Sequence, residues 1–287
     1  LREDWEKSPS PRQTMPAVQL ARLKSQINEL TWKFTRPAEF QRELHDLLDF
    51  YSNQVFKPGK VVPSSRRVES FHVPPVILNQ LELALEPFVC ENPGSALLLA
   101  DTLWKDEFLE MHLLAASLLG MTPISCSAET IQRLKQWPRP GIDTKSLEAL
   151  FNVGARRLRH ENQELWFEIV RDWLTSTTTS VNNLGVYALI PAAREKEFEN
   201  LPLIFQMIHP LMENPATSLQ PALIELLQIL AKRTPSETLF FLKHHLGLTH
   251  PPSPFRFIRR LIPAFDKEYQ NRLKSFLMDR TKSAAES

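Results

Sequence analysis

The sequence predicts an all-α fold, a curved α-solenoid of antiparallel helix pairs. Glycine is scarce, with 7 residues, whereas proline occurs 23 times. Asn-Gly hairpin turns are absent, and the strict apolar/polar alternation of half-buried strands is hard to find. Apolar residues instead recur at helical spacing, and the prolines fall mostly between these segments, where they begin or end helices. These three observations together favour helices throughout.

The clearest helical pattern lies in residues 97–120, which read LLLADTLWKDEFLEMHLLAASLLG. Two apolar stripes flank the polar turn at residues 105–107, so the segment predicts two short helices joined as an αα-hairpin. Gly120 is expected to end the second helix, because glycine tolerates positive φ. The second stripe is wide and rich in Ala and Leu, which is typical of a helix that packs on neighbours on more than one side.

The same periodicity, with capping residues and prolines at the boundaries, predicts the remaining helices. They are expected at 17–30, 37–51, 75–85, 127–137, 144–160, 163–174, 181–194, 201–212, 217–233, 237–246, 255–265 and 267–279. Residues 1–14 are expected to form a disordered or extended lead-in and 281–287 a tail. Residues 15–280 are expected to form one domain with a long loop at 52–73. The recurring unit is a helix pair of about 35–45 residues, as in HEAT or ARM repeats.

Charge and cysteine content narrow the possible functions. Lys and Arg total 34 and Asp and Glu total 33, so the formal net charge is +1. The chain therefore lacks the excess of basic residues that is expected of a nonspecific nucleic-acid binder. Cys90 and Cys126 have no metal-ligand spacing and are expected to be reduced, buried or half-buried thiols. We expect a cytoplasmic protein without a membrane span, a cofactor or a metal site. His244 and His245 are adjacent on one helix and therefore do not form a metal-binding pair.

The pattern in residues 97–120 resembles the HEAT-like-repeat DNA alkylation repair glycosylases. The residues that match the family pattern A-x-x-L-W, polar turn, E-x-x-x-L-A-A-x-L-L are Ala100, Leu103, Trp104, Glu110, Leu114, Ala115, Ala116, Leu118 and Leu119. Residues 157–166 and 231–242 are similar to two helix junctions of the same family, and the likeness spans about residues 75–245. The resemblance implies a solenoid with a concave basic face that binds duplex DNA and excises N-alkylated purines.

The family holds the damaged base against aromatic side chains and places a carboxylate near the sugar, where it stabilises developing positive charge. The family motif W-D-x-x-D corresponds here to the region of Asp143, which no Trp adjoins, and Ser146 takes about the place of the second Asp. Trp137 lies nearby, on the preceding helix end. The family's second Trp is missing from the helix that contains Glu225, and residues 182–183 replace an expected Arg. The resemblance therefore implies that the catalytic residues of the family are not kept.

Each candidate residue also has a structural interpretation. Asp143 is a candidate catalytic carboxylate, and its position is also explained by a helix N-cap. Trp137 is a candidate base-stacking residue, or it packs at a helix end. The candidate DNA-binding residues are arginines in three basic segments. They are Arg156, Arg157 and Arg159, then Arg256, Arg259 and Arg260, and in the long loop Arg66 and Arg67. The alternative explanations of these three groups are helix-dipole complementarity, a solvated helix face and loop solubility, in that order.

Two functions follow from the sequence. The first is a DNA alkylation repair protein that binds duplex DNA on a concave basic face, with excision of alkylated purines as its possible chemistry. The second is a non-catalytic scaffold whose concave face binds a protein or peptide. The basic segments favour the first function. The near-neutral charge and the missing Trp/Asp pair favour the second.

Overall fold

The computed structural model describes residues 19–52, 68–139, 141–212, 215–248 and 257–286. In these ranges the regular secondary structure is helical, and one isolated bridge joins Glu69 and Phe108. The α-helices are α1 (Leu20–Thr31), α2 (Pro37–Phe50), α3 (Pro75–Glu91), α4 (Pro93–Leu103), α5 (Leu109–Met121), α6 (Ser127–Gln136), α7 (Thr144–Ala149), α8 (Arg156–Glu161), α9 (Gln163–Leu174), α10 (Thr179–Arg194), α11 (Leu201–Met212), α12 (Gln220–Arg233), α13 (Pro235–Leu248) and α14 (Lys267–Glu286). The all-α prediction is confirmed.

Alternate helices of the chain contact one another. In one series α1 packs on α3, α3 on α5, α5 on the helical run 144–161, and α10 on α12. In the other series α2 packs on α4 and α9 on α11, while α13 packs on the next labelled helix, α14. Consecutive helices such as α4 and α5, or α9 and α10, join the two series. Leu, Ala and Phe side chains on the facing stripes are buried along the whole length of this arrangement.

The predicted hairpin of residues 97–120 forms α4 and α5, and α5 is buried on nearly every side. Gly120 lies inside α5, which ends one residue later, so the predicted C-cap role is wrong. A Cβ atom at Gly120 would lie 2.2 Å from the carbonyl oxygen of Val153. The residue is therefore glycine because another backbone passes against it, which side-chain periodicity cannot reveal.

The Val153 carbonyl belongs to a π-helical turn, Leu150–Gly154, between α7 and α8. The amide of Ala155 donates to the carbonyl of Leu150, five residues earlier, at 2.9 Å. One such insertion rotates all later side chains by about 100° relative to an uninterrupted α-helix, because each residue adds that angle. The turn therefore changes which residues of α8 face the interior.

Arginine side chains cap the C-terminal ends of helices in the first series. Arg157 on α8 donates to the Met121 carbonyl at the end of α5, at 3.0 Å. Arg233 at the end of α12 donates to the carbonyl of Ala193 in the last turn of α10 and to the carbonyls of Glu195, Lys196 and Phe198, which lie just beyond it. The last carbonyls of a helix lack partners within it, so each guanidinium satisfies groups that would otherwise be exposed or unpaired.

The end of the predicted 52–73 loop is ordered against α5. Glu110 is buried, and its carboxylate accepts hydrogen bonds from the Ser70 hydroxyl and from the amides of Phe71 and His72, at 2.7–3.1 Å. His72 adopts a φ of 54°. These three bonds satisfy the buried carboxylate and fix residues 70–72 on the hairpin.

Three further features differ from the sequence-based expectations. Helix α3 continues through Pro87 to Glu91 instead of ending near residue 85. The described part of the predicted 255–265 helix breaks after residue 259 and continues as a 3₁₀ turn, Ile262–Ala264, because Pro263 cannot donate to an α-helical ladder. Cys90 is exposed and not buried or half-buried, whereas Cys126 is half-buried and both thiols are free, as the sequence predicts.

Within the described ranges no single helix is long and apolar enough to cross a membrane. A bent pair, Leu109–Met121 with Ile124–Gln136, passes that test only when the two are joined across a 111° bend.

Candidate nucleic-acid interface

Trp137, a predicted catalytic residue, is buried in an aromatic stack. Its ring lies parallel to that of Trp104, with ring centroids 4.7 Å apart, and Trp104 stacks in turn on His112 at the same centroid distance. The Trp137 indole donates to Asp101 Oδ1 at 3.1 Å, and Arg133 holds the same carboxylate through two hydrogen bonds. Only 7% of Trp137 is exposed. One face and the N–H of the indole are thus engaged within the protein, and the low exposure of the residue leaves little surface for stacking on a base.

Asp143, the predicted catalytic carboxylate, caps α7. Its Oδ2 accepts from the amide of Lys145 at 2.9 Å, which is the N-cap geometry that its position predicts. The side chain is half-buried, and its charge favours protonation of the nearby His112. Burial nevertheless dominates and lowers the pKa of His112.

Ser146 stands where the resemblance places a second carboxylate, and it is fully buried. Its hydroxyl lies 2.8 Å from Nδ1 of His112, whose Nε2 lies 2.9 Å from the carbonyl oxygen of Asp106. Because a carbonyl only accepts, Nε2 carries the proton and Nδ1 accepts from the Ser146 hydroxyl. The residues of the predicted catalytic region therefore form one connected structural unit.

The first basic segment divides between the surface and the interior. Arg156 is exposed, and Arg157 is half-buried and pairs with Glu161 at 3.2 Å. Arg159 is 3% exposed, pairs with Glu195, and donates to the carbonyls of Phe151 and Asn152 in the π-helical turn. Burial opposes ionisation of Glu195, but Arg159 and His160 lower its pKa overall. The prediction of Arg159 as a phosphate contact is corrected, since its guanidinium is held inside the fold.

The other predicted DNA-binding residues lie elsewhere. Arg259 and Arg260 are exposed at the short turn before α14. Arg66, Arg67 and Arg256 lie outside the described residues. The structure thus brings Arg156 and Arg157 together with His160, and it does not join them to Arg259 and Arg260 in one described patch.

A groove of about 690 Å³ runs between α3, α5 and α8. α5 contributes the small residues Ser117 and Gly120 to its lining. One wall is basic and the other acidic. The basic wall carries Arg156, Arg157 and His160, with Glu161 beside them, and the acidic wall carries Glu82 and Glu86. The groove can therefore accept a ligand with anionic groups along its α8 side.

A second polar cluster, which sequence reasoning missed, lies on α7, α10 and α12. We call Glu148, Asn183, Tyr187, Arg194 and Glu225 the Tyr187 cluster. Arg194 donates to Glu225 at 2.5 Å, and the Tyr187 hydroxyl hydrogen-bonds with the side chain of Thr144, which lies beside Asp143. These residues come from three segments that are more than thirty positions apart, so no local sequence motif indicates the cluster.

The charges of the Tyr187 cluster influence one another. Burial raises the pKa of Glu225, Arg194 opposes that shift, and the negative charge of Glu148 adds to it. Burial and the two carboxylates likewise raise the pKa of Tyr187. Two carboxylates against one guanidinium leave the cluster with a negative charge at neutral pH. Within the described residues, Oδ1 of Asn183 is buried and has no hydrogen-bond partner.

The described residues contain no group of three or more His, Cys, Asp and Glu side chains arranged to hold a metal ion. The imidazoles of His209 and His245 lie 4.5 Å apart between α11 and α13, with His244 beside them.

The fold and the groove define an all-helical protein that carries a groove with one basic wall. In a comparison with known families, the family model described as DNA alkylation repair enzyme matches residues 81–256. The match covers more than half of the 287 residues, so the chain belongs to the DNA alkylation repair enzyme family. Comparison with curated proteins and with solved structures gives no match.

Proposed function

We propose that this protein is an α-solenoid that binds duplex DNA in the repair of alkylation damage. Family membership supports the repair role. The proposed DNA-binding surface is the concave face formed by the series α3, α5, α7–α8, α10 and α12. The single observation that carries the proposal is the basic wall of the groove, where Arg156, Arg157 and His160 are grouped at the end of α8.

Phosphate contacts made by arginine are strong and depend on salt, because binding releases counterions condensed on the DNA. Arg156 is the best contact in this group, since it is exposed and makes no salt bridge among the described residues. Arg157 contributes charge to the same wall while it caps α5. His160 shares the Glu195 carboxylate with Arg159 and adds positive charge when it is protonated.

The test is a fluorescence-anisotropy titration of a labelled duplex across a series of salt concentrations. We expect binding that weakens as salt increases, and the substitution Arg156→Ala should reduce the slope of log K against log salt by about one. Arg171→Ala is the matched control, because Arg171 is exposed on α9 in the other series. Undetectable binding at the lowest salt concentration would contradict the proposal.

Excision is a separate question from binding, and release of 7-methylpurine or 3-methylpurine from alkylated duplex answers it. The substitution Asp143→Asn removes the carboxylate but keeps an N-cap side chain, so the fold of α7 is preserved. Release that this substitution abolishes would assign the chemistry to Asp143. Release that it leaves unchanged would assign the chemistry to other residues.

The alternative function is a non-catalytic scaffold that binds a protein or peptide. The acidic wall of the groove, Glu82 and Glu86, favours it. Carboxylates on the wall opposite the arginines repel phosphate, but they suit a ligand that carries both positive and negative charges. Absence of both DNA binding and purine release would select this function.

A further inference from the structure

The acidic wall of the groove has features that the stability of the fold does not explain. Glu82 and Glu86 are four residues apart on α3, so both carboxylates lie on one face of the helix, where like charges destabilise it. Among the described residues, neither carboxylate forms a salt bridge. Glu82 is half-buried, and its Oε1 accepts from the Ser117 hydroxyl of α5 at 2.5 Å. The fold therefore holds uncompensated negative charge at this wall, which points to the ligand for its explanation.

The rest of the lining has the chemistry of a groove for a single nucleic-acid strand. Such grooves combine a basic lining that follows the backbone with side-chain surface against which bases pack, aromatic in the strongest cases. Arg156 and Arg157 supply the basic lining here. The side-chain surface is apolar and comes from Leu83, which is 63% exposed, Val153, which is 41% exposed, and Met121. The two carboxylates are the part of the lining that opposes a single strand.

The width of the groove decides which form of DNA can enter it. α5 packs on α3 and on the helical run 144–161, so α3 and α8 are two helix spacings apart. Each spacing is about 8–10 Å and a helix with its side chains is about 10–12 Å wide, so no more than about 10 Å separates the two walls. A single strand fits this gap. A duplex, whose major groove alone is about 12 Å wide, remains at the rim.

Both walls act on a phosphate that lies inside this gap, because the Debye length is about 10 Å at 0.1 M salt. Arg156 attracts the phosphate, while Glu82 and Glu86 repel it, and the half-buried Glu82 is screened less by solvent than an exposed carboxylate is. A duplex at the rim contacts the exposed Arg156 and stays farther from Glu82. The acidic wall therefore penalises a strand inside the groove more than a duplex outside it.

We propose that Glu82 and Glu86 are specificity-determining residues that exclude single-stranded DNA from the groove, so that the protein selects the duplex. A protein can discriminate between two ligands by repelling one of them as well as by attracting the other. Here Arg156 attracts both forms of DNA, and the acidic wall acts against the form that enters. This inference rests on the proposed DNA-binding function.

The test uses one labelled strand without self-complementarity, alone and annealed to its complement, in anisotropy titrations at one low salt concentration. We expect the parent protein to bind the duplex more tightly than the single strand. A carboxylate about 8 Å from a phosphate weakens binding about twofold to threefold even at the dielectric constant of water, so two carboxylates account for about fourfold to tenfold.

The double substitution Glu82→Gln with Glu86→Gln removes both charges and keeps an acceptor for the Ser117 hydroxyl. This variant should bind the single strand about fourfold to tenfold more tightly than the parent, and the duplex less than about twofold more tightly. Glu91→Gln is the matched control, because Glu91 is exposed on the same helix and does not line the groove. Melting temperatures are measured for all variants. Glu86→Gln alone, at an exposed position, should give a gain of about twofold to threefold and keeps the test valid if the double variant unfolds.

The possible results separate this inference from the proposed function. An equal gain for both forms of DNA would overturn the inference, because the carboxylates would then act on any nucleic acid from a distance. A single-strand affinity no higher than that of Glu91→Gln would also overturn it, as would a parent protein that binds the single strand as tightly as the duplex. These results leave duplex binding, and hence the proposed function, intact. Binding of neither form would overturn the proposed function itself.

Discussion

The contact between Gly120 and the Val153 carbonyl predicts a large effect of one added methyl group. In Gly120→Ala the new Cβ would lie 2.2 Å from the carbonyl oxygen and 3.0 Å from the carbonyl carbon of Val153. An ordinary C···O contact is about 3.3–3.6 Å, so α5 and the π-helical turn must separate by about 1 Å. Such overpacking costs roughly 1–3 kcal/mol and more where both atoms belong to backbone, while alanine regains about 1 kcal/mol of helix propensity. We expect a net loss of about 2 kcal/mol.

The assay is urea and thermal unfolding followed by circular dichroism. The expected loss corresponds to a fall of roughly 4–8 °C in melting temperature for a protein of this size. Gly94→Ala is the matched control, because a Cβ there meets only Asn92 Oδ1, at 4.0 Å, in the first turn of α4. That substitution should leave stability equal or raise it by up to about 1 kcal/mol. A Gly120→Ala protein as stable as the parent would refute the assigned close approach of the two helices.

Two further predictions concern buried polar groups. Arg233→Ala removes all four donors to the carbonyls at the end of α10 and should cost about 2–4 kcal/mol in urea unfolding, whereas Arg171→Ala should change stability by less than about 0.5 kcal/mol. Burial, with His209 and His244 nearby, lowers the pKa of His245 to about 4. The unfolded chain therefore binds a proton near pH 6.5 and the folded chain only near pH 4, so stability should fall by about 3 kcal/mol as pH decreases through that window. His245→Phe should flatten this pH dependence, and an unchanged profile would contradict the assignment.

The sequence was sufficient for features that depend on local periodicity. Residues 97–120 were predictable as a hairpin because their apolar stripes face two neighbours, and Asp143 was predictable as a cap because the residue type and the following helix agree. The same reasoning could not assign Gly120, since the reason for glycine there is a backbone that comes from residue 153.

Which arginines of the basic segment 156–159 lie at the surface could not be predicted, for a related reason. Residues 144–160 read as one uninterrupted helix, and a single π insertion leaves the periodicity almost unchanged while it rotates every later residue. Arg159 consequently points inward to Glu195, and Arg156 remains at the surface. The Tyr187 cluster could not be predicted from the sequence, because its members meet only when α7, α10 and α12 pack together.

The resemblance assigned Ser146 to the place of a catalytic carboxylate. The surroundings of Ser146 are adapted to serine, so a carboxylate at this position would not fit them without a cost in stability. Ser146 is 0% exposed and hydrogen-bonds to His112, which stacks on Trp104, and Trp104 stacks on Trp137. Restoring an acid with Ser146→Asp would bury a carboxylate against this unit, beside Nδ1 of His112, which carries no proton to donate. The variant should therefore melt several degrees lower, as expected for about 1–3 kcal/mol of imperfectly satisfied buried charge. It should release 7-methylpurine from alkylated DNA no faster than the parent, because the carboxylate would face His112 and not the DNA. Faster release by Ser146→Asp would show that position 146 does reach the sugar and that a single substitution separates this protein from the family's chemistry.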